Sequence, residues 1–334
     1  MPTHDIVVVG ASAGGVEALI TLVTGLPADF PGAIFVVLHI PATSASALDK
    51  ILSRYSHVPA KTAEDGEAIS PHQIYVAPPD HHLLLTADRV RVVYGPQENR
   101  HRPAIDPLFR TAALAFGPRV IGVVLSGMLN DGTAGLLAIK ERGGMAYVQE
   151  PSTALFPQMP QSACKYVQVD GILPVTALAQ KLTELAGEEV TIPEGANAVT
   201  DDLLFEAKVA GLDPQILELE RPPGVLTSIT CPECKGPLWE THNGRLLRYR
   251  CRVGHAFTGE TMLEGQAENV EDALWMAINA LEENAQLYSH LAATARAHQQ
   301  QSKAESLEDQ AQQLRSRRTA IREMLMPNGP REEL

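Results

Sequence analysis

The chain has 334 residues, of which 45% are hydrophobic, and its formal net charge is −13. This length and apolar content allow two or three domains with a sizeable core. The acidic balance argues against nonspecific nucleic-acid binding, for which a basic surface supplies most of the affinity. We find no signal peptide at the start and no apolar run of the ~18 residues that a membrane span needs, so we expect a cytoplasmic protein without membrane insertion.

The first informative segment is a glycine-rich turn, residues 10–15, which lies between an apolar strand pattern and a helical pattern. Its G-x-S-x-G spacing is that of a nucleophile elbow, in which small residues let the chain turn sharply and leave a serine exposed. We therefore predict that Ser12 is a nucleophile. Because a helix start presents unpaired backbone N–H groups, Ala13 and Gly14 are candidates to stabilise an oxyanion.

Two alternatives apply to the same turn. Serine is a favoured helix N-cap, so Ser12 alone is equally typical of a structural role. Gly10, Ser12 and Gly15 also occupy the glycine positions of a dinucleotide-binding fingerprint, which needs an acidic residue at the end of the second strand. The second predicted strand, residues 33–38, is followed instead by His39. A histidine there favours a hydrolase, because an activated serine needs a base.

A third polar residue, Asp131, follows the apolar strand pattern at residues 120–125. In an open parallel sheet the loops after the carboxyl ends of the strands gather at one edge, where ligands bind. We therefore expect Ser12, His39 and Asp131 to meet as nucleophile, base and orienting carboxylate. Taken singly, His39 and Asp131 are more typical of structural residues, the latter as a turn or cap residue before glycine. Three such residues at three strand ends favour the triad.

Residues 1–186 are predicted to form one α/β domain with a doubly wound, mainly parallel sheet, because strand and helix patterns alternate along them. A hairpin is predicted inside this scheme, and the helix Val175–Ala186 is predicted to close the domain. Asp106 is predicted to cap a helix at Pro107–Phe116. The predicted strands of the sheet are Ile6–Val9, Ile34–Leu38, Ile74–Ala77, Val120–Leu125 and Met145–Gln149, and those of the hairpin are Leu83–Leu85 and Val90–Val93.

These segments together resemble the catalytic domain of chemotaxis protein-glutamate methylesterases of the CheB type. By this resemblance Ser12 is the nucleophile, His39 the base and Asp131 its orienting partner, and the backbone N–H of Met128 is a further candidate for the oxyanion or substrate. The resemblance is carried by the serine turn, by Leu38–Pro41 and Gly127–Gly132, and by further matches at Ile74–Asp80, His101–Asp106 and Met159-Pro160.

The resemblance implies hydrolysis of glutamate γ-methyl esters of a chemoreceptor-like protein, with release of methanol and with glutamine deamidation as a second activity. It implies no cofactor for catalysis. A phosphoacceptor receiver domain usually precedes the catalytic domain in this family, whereas here the first strand begins at about residue 5, so we expect control from another chain, from the C-terminal region or from substrate supply. Three positions depart from the family pattern: Ala13 where threonine is common, and Leu129 and Gln158 where glycine is common.

A second motif follows a predicted linker, residues 187–228, in which one short helix is expected near Asp213–Glu220. Its spacing, C-x2-C-x16-C-x3-H, supplies three thiolates and one imidazole, a closed tetrahedral set suited to structural zinc. We therefore predict a zinc ribbon at residues 229–257, with hairpin strands at Pro237–Glu240 and Leu246–Arg250. The predicted zinc ligands are Cys231, Cys234, Cys251 and His255.

Four arginines of this module, at positions 245, 248, 250 and 252, form a basic strip in the sequence. The strip leaves nucleic acid as an alternative partner, although the net charge favours a structural or protein-binding ribbon. The last part, residues 258–328, shows apolar residues at roughly heptad or three-four spacing and is predicted to form a helical hairpin or coiled coil. Such helices pack on their own ribbon, form a homodimer or dock a partner, and the pattern does not choose between these roles.

Two hypotheses for function follow. The first is a serine methylesterase that acts on a methylated chemoreceptor-like protein and works with a partner methyltransferase or regulator. The second is a non-catalytic adaptor or scaffold that uses the ribbon and the helices as its binding surface. Retention of Ser12, His39 and Asp131 favours the first, because a binding module has no use for an aligned triad. An esterase with an unrelated substrate is an intermediate alternative.

Overall fold

The computed structural model describes residues 3–43, 46–190, 199–217, 223–243 and 246–326. The chain divides into two compact units, Met1–Met262 and Leu263–Leu334. None of the helices in the described ranges is both long enough and apolar enough to cross a membrane.

The first unit is built on a seven-stranded parallel sheet, and a separate antiparallel hairpin lies beside it. The strands are β1 (Ile6–Ala11), β2 (Ala33–Leu38), β3 (Ala60–Thr62), β4 (Gln73–Val76), the hairpin strands β5 (His82–Leu85) and β6 (Val90–Val93), β7 (Val120–Val124), β8 (Met145–Gln149) and β9 (Gly171–Leu173). Across the sheet they follow the order β3-β4-β2-β1-β7-β8-β9, so the strand order reverses between β1 and β7. Ligands bind at such a switch point in open α/β sheets.

Helices cover both faces of the sheet, so the central strands are apolar throughout. In β1, Val7 and Val9 belong to the core cluster on one face, whereas Ile6 and Val8 belong to the cluster on the other. This continuous burial is what a parallel sheet enclosed on both faces requires. The predicted doubly wound α/β class is confirmed. The helices are α1 (Gly15–Thr24), α2 (Leu48–Tyr55), α3 (Ile105–Phe116), α4 (Thr133–Glu141), α5 (Gln158–Tyr166) and α6 (Val175–Ala186).

Three details differ from the sequence prediction. The strands β3 and β9 were not predicted; each has only three residues and lies at an edge of the sheet, where burial imposes little pattern. The prediction that Asp106 caps a helix at Pro107–Phe116 is wrong. The helix begins at Ile105 after Ala104, and the buried Asp106 carboxylate instead accepts the backbone N–H of Gly135 at 2.7 Å.

The segment that follows α6 carries more structure than the linker prediction stated. A ten-residue helix, α7 (Asp201–Ala210), packs against α3 and buries Leu203 in the core of the sheet domain. It begins at an N-cap, Thr200, whose side chain accepts the N–H of Leu203. The predicted short helix corresponds to α8 (Pro214–Leu217), and residues 218–220 of that prediction lie outside the described residues.

The cysteine-rich module contains four strands, β10 (Val225–Thr230), β11 (Pro237–Asn243), β12 (Leu246–Cys251) and β13 (Ala256–Thr258). They form an antiparallel sheet with the order β10-β11-β12-β13. The predicted hairpin is present in it as β11 and β12, and Gly244 of its predicted turn lies outside the described residues.

Buried ion pairs join this four-stranded sheet to α3 and α7. Arg250 on β12 donates to Glu98 at 3.1 Å and to Glu206 of α7 at 2.9 Å, and Arg248 donates to Glu206 at 2.8 Å. Arg110 of α3 donates to both oxygens of Glu98 at 2.7 Å. Two of the four arginines of the sequence strip are therefore buried in internal pairs, and Arg245 lies outside the described residues.

The second unit consists of the rest of α9 (Gly259–Ala297) and of α10 (Gln301–Leu325). Side chains join the two helices in antiparallel order, since Glu282 pairs with Arg318 whereas Ser289 lies 3.3 Å from Glu308. The helical hairpin is the arrangement that the sequence predicts for this region.

We predict that Glu206→Gln lowers the free energy of unfolding by about 3 kcal/mol, because it removes one of the two carboxylates that pair with the buried Arg110, Arg248 and Arg250 and leaves Glu98 to balance all three. Burial alone would raise the pKa of Glu206, but Arg248, Arg250 and Arg110 hold it well below its usual value. Its contribution is therefore complete above about pH 4.5 and is lost as the pH falls through the folded pKa.

Urea unfolding at several pH values tests this prediction. The variant should lose less stability than the parent protein on acidification. Asp88→Asn, which removes an exposed pair with Arg89, is the matched control and should cost under about 0.5 kcal/mol. A Glu206→Gln protein as stable as this control would contradict the prediction.

Candidate active site

Ser12 lies directly after β1, at the carboxyl edge of the sheet. The turn is set by Gly14, whose φ of 69° is a left-handed conformation that side chains disfavour, and a Cβ there would lie 2.8 Å from Leu155. The N–H of Ser12 donates to the carbonyl of Ser126, which follows β7, at 2.9 Å. The turn is thus held against the loop of the neighbouring strand.

Three backbone N–H groups near Ser12 have no acceptor within the described part of the chain: those of Ala13, Gly14 and Met128. The Ser126 hydroxyl donates to the carbonyl of Ala13 at 2.8 Å. Because a trans peptide places its C=O and N–H on opposite sides, this bond directs the Gly14 N–H away from Ser126. The sequence candidates for an oxyanion site therefore retain available donors.

The structure brings the side chains of Ser12, His39 and Asp131 together. His39, which follows β2, has its Nδ1 atom 3.1 Å from Ser12 Oγ and its Nε2 atom 2.7 Å from Asp131 Oδ2. With the proton on Nε2, the ring donates to Asp131 and accepts from the serine hydroxyl. This is the order of contacts that activates a serine: the base touches the nucleophile and a carboxylate orients the base.

The Asp131 carboxylate is buried and receives five N–H groups. Besides His39, it accepts the Asn99 side chain at 2.9 Å and the backbone N–H groups of Ile105 at 2.6 Å, Asp106 at 3.2 Å and Gly132 at 2.9 Å. Burial alone would raise the pKa of Asp131, but the bonds from His39 and Ile105 lower it below its usual range. The group therefore stays ionised and can stabilise a protonated His39.

Two further titratable side chains lie beside the triad. Burial and the neighbouring charge of Asp131 raise the pKa of Asp106 to about 7. His101 stacks on His39, with ring centroids 3.6 Å apart and planes inclined by 17°. Burial and the closeness of His39 lower the pKa of His101 to about 3, so His101 covers one face of the His39 ring and stays neutral.

Comparisons with known proteins identify the family. The sequence model of the family described as CheB methylesterase matches residues 7–182. The chain belongs to this family. The matched segment includes all three side chains of the Ser12 site and ends before the cysteine-rich module.

Named relatives agree with this CheB assignment. The chain is 39% identical over 183 residues to a Leptospira interrogans protein provisionally named a protein-glutamate methylesterase/protein-glutamine glutaminase, an alignment that covers 54% of this chain and 95% of that protein. It is 37% identical over 190 residues to protein-glutamate methylesterase/protein-glutamine glutaminase 1 of Xanthomonas campestris, covering 56% of this chain and 53% of that protein. The chain thus spans about half the length of the second relative.

A solved structure is also similar. The Thermotoga maritima CheB methylesterase catalytic domain is 35% identical, and the comparison covers 54% of this chain and 98% of that domain with a TM-score of 0.53. The sheet domain therefore has the CheB catalytic fold. The remaining part of the chain contains the four-stranded sheet and the two long helices.

Two positions at which this chain departs from the CheB pattern contact each other. Leu129 has a φ of 61°, in the region that favours glycine, and its N–H donates to the side-chain oxygen of Gln158 at 3.0 Å. Gln158 thus supplies a hydrogen bond to the loop that carries Met128. This contact stabilises a backbone conformation that is strained for leucine and that glycine would adopt without strain.

A second cluster of ligating groups lies in the cysteine-rich module. One donor atom from each of Cys231, Cys234, Cys251 and His255 lies within 4.8 Å of all the others. His255 Nδ1 is 3.8 Å from Cys231 Sγ and 3.5 Å from Cys251 Sγ, and the Sγ atoms of Cys234 and Cys251 are 3.7 Å apart. Tetrahedral zinc bound by three sulfurs and one nitrogen, with bonds of about 2.0–2.3 Å, requires edges of about 3.5–3.8 Å, and these three distances match such edges.

Sequence reasoning missed two residues of the site, Asn99 and His101. Both precede α3 in a loop with left-handed residues, since the φ of Asn99 is 49°. His101 falls inside a segment that resembles the family, but its stacking on His39 depends on a contact between distant parts of the chain. Neither residue follows a predicted strand, whereas Ser12, His39 and Asp131 each do.

We predict that His101 stays neutral across the pH range in which the protein is folded. Nuclear magnetic resonance of the histidine ring protons, with His101 assigned by the loss of its signal in His101→Phe, should show no titration of this ring between pH 5 and pH 8. The exposed His242, assigned in the same way from a His242→Phe variant, is the control for the assignment. A midpoint near pH 6.5 for His101 would contradict the burial argument.

Proposed function

We propose that the protein is a serine hydrolase that removes methyl groups from glutamate γ-methyl esters of a chemoreceptor-like protein and releases methanol. One observation carries this proposal: a hydrogen-bonded Ser12, His39 and Asp131 array lies at the switch point of a sheet with the CheB catalytic fold. The names of the relatives supply the substrate class.

The first half of the reaction transfers the glutamyl group to the enzyme. Ser12 Oγ attacks the ester carbonyl while His39 Nδ1 takes the hydroxyl proton. The oxyanion of the tetrahedral intermediate accepts hydrogen bonds from N–H groups of Ala13, Gly14 or Met128. His39 then returns the proton to the methoxy oxygen, the C–O bond breaks and methanol leaves.

The second half is the same relay with water. His39 takes a proton from water as the water oxygen attacks the acyl-enzyme, and it returns that proton to Ser12 Oγ when the tetrahedral intermediate collapses. The product is a free glutamate carboxylate, and the enzyme regains its starting state. Asp131 remains ionised throughout and stabilises the protonated His39.

The same site supports glutamine deamidation as a second activity, because both relatives are also named protein-glutamine glutaminases. In that reaction Ser12 attacks a side-chain amide, and His39 donates its proton to the departing nitrogen, which leaves as ammonia. Nothing else in the relay changes. An ester has the better leaving group, so we propose demethylation as the principal reaction.

Exposed apolar side chains flank the nucleophile and suit a protein substrate. Met128 is 46% exposed and Leu155 is 73% exposed, and Leu155 is next to the Gly14 turn. Large apolar groups that remain exposed beside a site are typical of surfaces that bind a partner. We propose that these two side chains contact the receptor segment that carries the ester.

We predict that Ser12→Ala and His39→Ala each lower methanol release by at least about 10³-fold, since loss of either group removes the relay. Membranes that carry methyl-labelled receptors supply the substrate. Ser53→Ala, which changes an exposed serine with a single backbone contact, is the control and should retain full activity. Circular dichroism should show that all three variants are folded.

Two outcomes would contradict the hydrolase proposal. Equal methanol release by the parent protein and Ser12→Ala would exclude Ser12 as the nucleophile. No release by the parent protein, together with no labelling of Ser12 by an activated ester, would favour the adaptor alternative. Labelling of Ser12 without release would point to an esterase for another substrate.

We also propose that Cys231, Cys234, Cys251 and His255 bind one structural zinc ion. All four positions are taken by protein ligands, so the ion has no open position for chemistry and would stabilise the ribbon instead. Small sheets with little core depend on such an ion. The buried apolar side chains around the cluster are few and include Leu238 and Phe257.

We predict about one equivalent of zinc per chain in the purified protein, measured by elemental analysis. Cys251→Ser should lose this zinc, whereas Cys164→Ser, which changes the one cysteine outside the cluster, should retain it. Zinc in the Cys251→Ser protein at the parent stoichiometry would contradict the assignment.

Several further expectations remain proposals. The ester substrate implies a partner methyltransferase or regulator, since another reaction must form the ester. A homodimer through α9 and α10 and a cytoplasmic location also stay predictions. The burial of Arg248 and Arg250 leaves less of the basic strip for nucleic acid.

A further inference from the structure

Asn99 occupies a buried position between the catalytic aspartate and the cysteine-rich module. It is 1% exposed, and its left-handed backbone is one that asparagine adopts more readily than most residues. Its N–H donates to the carbonyl of Ala256 on β13 at 2.7 Å. The backbone of Asn99 is therefore attached to the last strand of the module.

The side-chain amide of Asn99 contacts both sides. Its Nδ2 atom donates to Asp131 at 2.9 Å and to Asp106 at 3.0 Å. Its Oδ1 atom accepts the N–H of Thr258 at 3.1 Å and the hydroxyl of Thr261 at 3.2 Å. Both N–H groups and the oxygen of the amide are thus hydrogen-bonded. A rotation of the amide that exchanged its nitrogen and oxygen would break all of these bonds.

A second bridge reaches the residue next to Asp131. The Thr258 hydroxyl donates to the side-chain oxygen of Asn130 at 2.7 Å, and the side-chain nitrogen of Asn130 donates to Glu260 at 2.8 Å. Asn130 is 2% exposed. The junction of β13 and α9 therefore contacts the aspartate loop at two adjacent places, the Asp131 carboxylate through Asn99 and the Asn130 side chain directly.

The start of β13 is fixed by two residues of the metal cluster. Cys251 ends β12, His255 immediately precedes β13, and the N–H of Cys251 donates to the carbonyl of His255 at 2.9 Å. An ion bound to Cys251 Sγ and His255 Nδ1 would close this turn. Without the ion, three thiols and an imidazole are left close together with no partner that stabilises them.

We propose that the metal-bound ribbon positions the catalytic aspartate, with Thr261 and Thr258 orienting Asn99 and Asn99 orienting Asp131. This inference rests on the proposed triad and on the proposed zinc site. Asn99, Thr258 and Thr261 are positioning residues, because none of them touches the reacting atoms. Loss of the ion loosens β13, frees the Asn99 amide and leaves Asp131 with one donor fewer, so the acylation rate depends on metal.

The test uses the full chain and three threonine variants. Thr261→Val removes the hydroxyl that donates to Asn99 Oδ1 but keeps the shape of the side chain, and Thr261→Ser retains the hydroxyl. Thr227→Val is the matched control, because its hydroxyl bonds only within the ribbon, to Leu238 at 3.1 Å and to Ile229 at 3.3 Å. Zinc content and circular dichroism should be the same in all three.

Two readouts are measured: the rate at which a fluorophosphonate probe labels Ser12, and kcat and KM for methanol release. Thr261→Val should lower the labelling rate and kcat by about 10-fold, with KM within about 2-fold of the parent value, because the buried Asn99 Oδ1 loses one of its two donors while the substrate surface is unchanged. Thr261→Ser should restore most of the rate, and Thr227→Val should match the parent.

Metal removal provides the second arm. Chelation should slow labelling of the parent and of Thr227→Val by about 10-fold, and added zinc should restore it. In Thr261→Val the connection between β13 and Asn99 is already weakened, so chelation should slow labelling much less than in the parent. This is the non-additivity expected of two changes that act through the same contacts. Equal losses in Thr261→Val and the parent would overturn the proposal.

The two readouts separate this proposal from the proposed function. If labelling responds to Thr261→Val and to zinc but no methanol is released, the positioning stands and the methylesterase assignment fails. If methanol is released and neither kcat nor labelling changes in Thr261→Val, the positioning is refuted and the methylesterase assignment stands. No labelling and no release from the parent protein would refute both.

Discussion

The structure depends on one buried charge, the carboxylate of Asp131. An ionised group away from water is stable only when donors compensate for its lost hydration. Here the donors come from four places: His39, the Asn99 side chain, the first turn of α3 and Gly132. The loops and helix that converge on this edge of the sheet are therefore held in place by the same group that contacts His39, the proposed base.

This constraint explains why the cysteine-rich module is close to the active site. The Asn99 amide donates to Asp131 with its nitrogen and accepts from Thr258 of β13 and Thr261 of α9 with its oxygen, so the Asp131 loop and the module share one network of hydrogen bonds. Glu98, which precedes Asn99 in the chain, and Glu206 of α7 pair with arginines of α3 and β12. Within the first compact unit, the ribbon is thus attached to the sheet domain by buried polar contacts.

The sequence predicted those features that depend on a local pattern of residues. Strand ends predicted that Ser12, His39 and Asp131 would lie together, since parallel topology gathers such ends at one edge, and ligand spacing predicted the same for Cys231, Cys234, Cys251 and His255; the structure places both groups so. The role of Asn99 was beyond reach, because its partners come from residues 106, 131, 258 and 261. Arg248 and Arg250 likewise looked like an exposed basic strip, because alternation along a strand does not reveal that glutamates from another segment will cover it.

We propose that Ser12 forms a covalent acyl-enzyme with a glutamyl group of the substrate. The most direct test mixes the protein with a receptor peptide that contains a glutamate γ-methyl ester, quenches with acid on the millisecond to second scale, and locates any adduct by peptide mass spectrometry. We expect the Ser12 peptide to gain the mass of the substrate minus methanol before free product accumulates. Methanol release with Ser12 unmodified at every quench time, or an adduct on another residue, would contradict it.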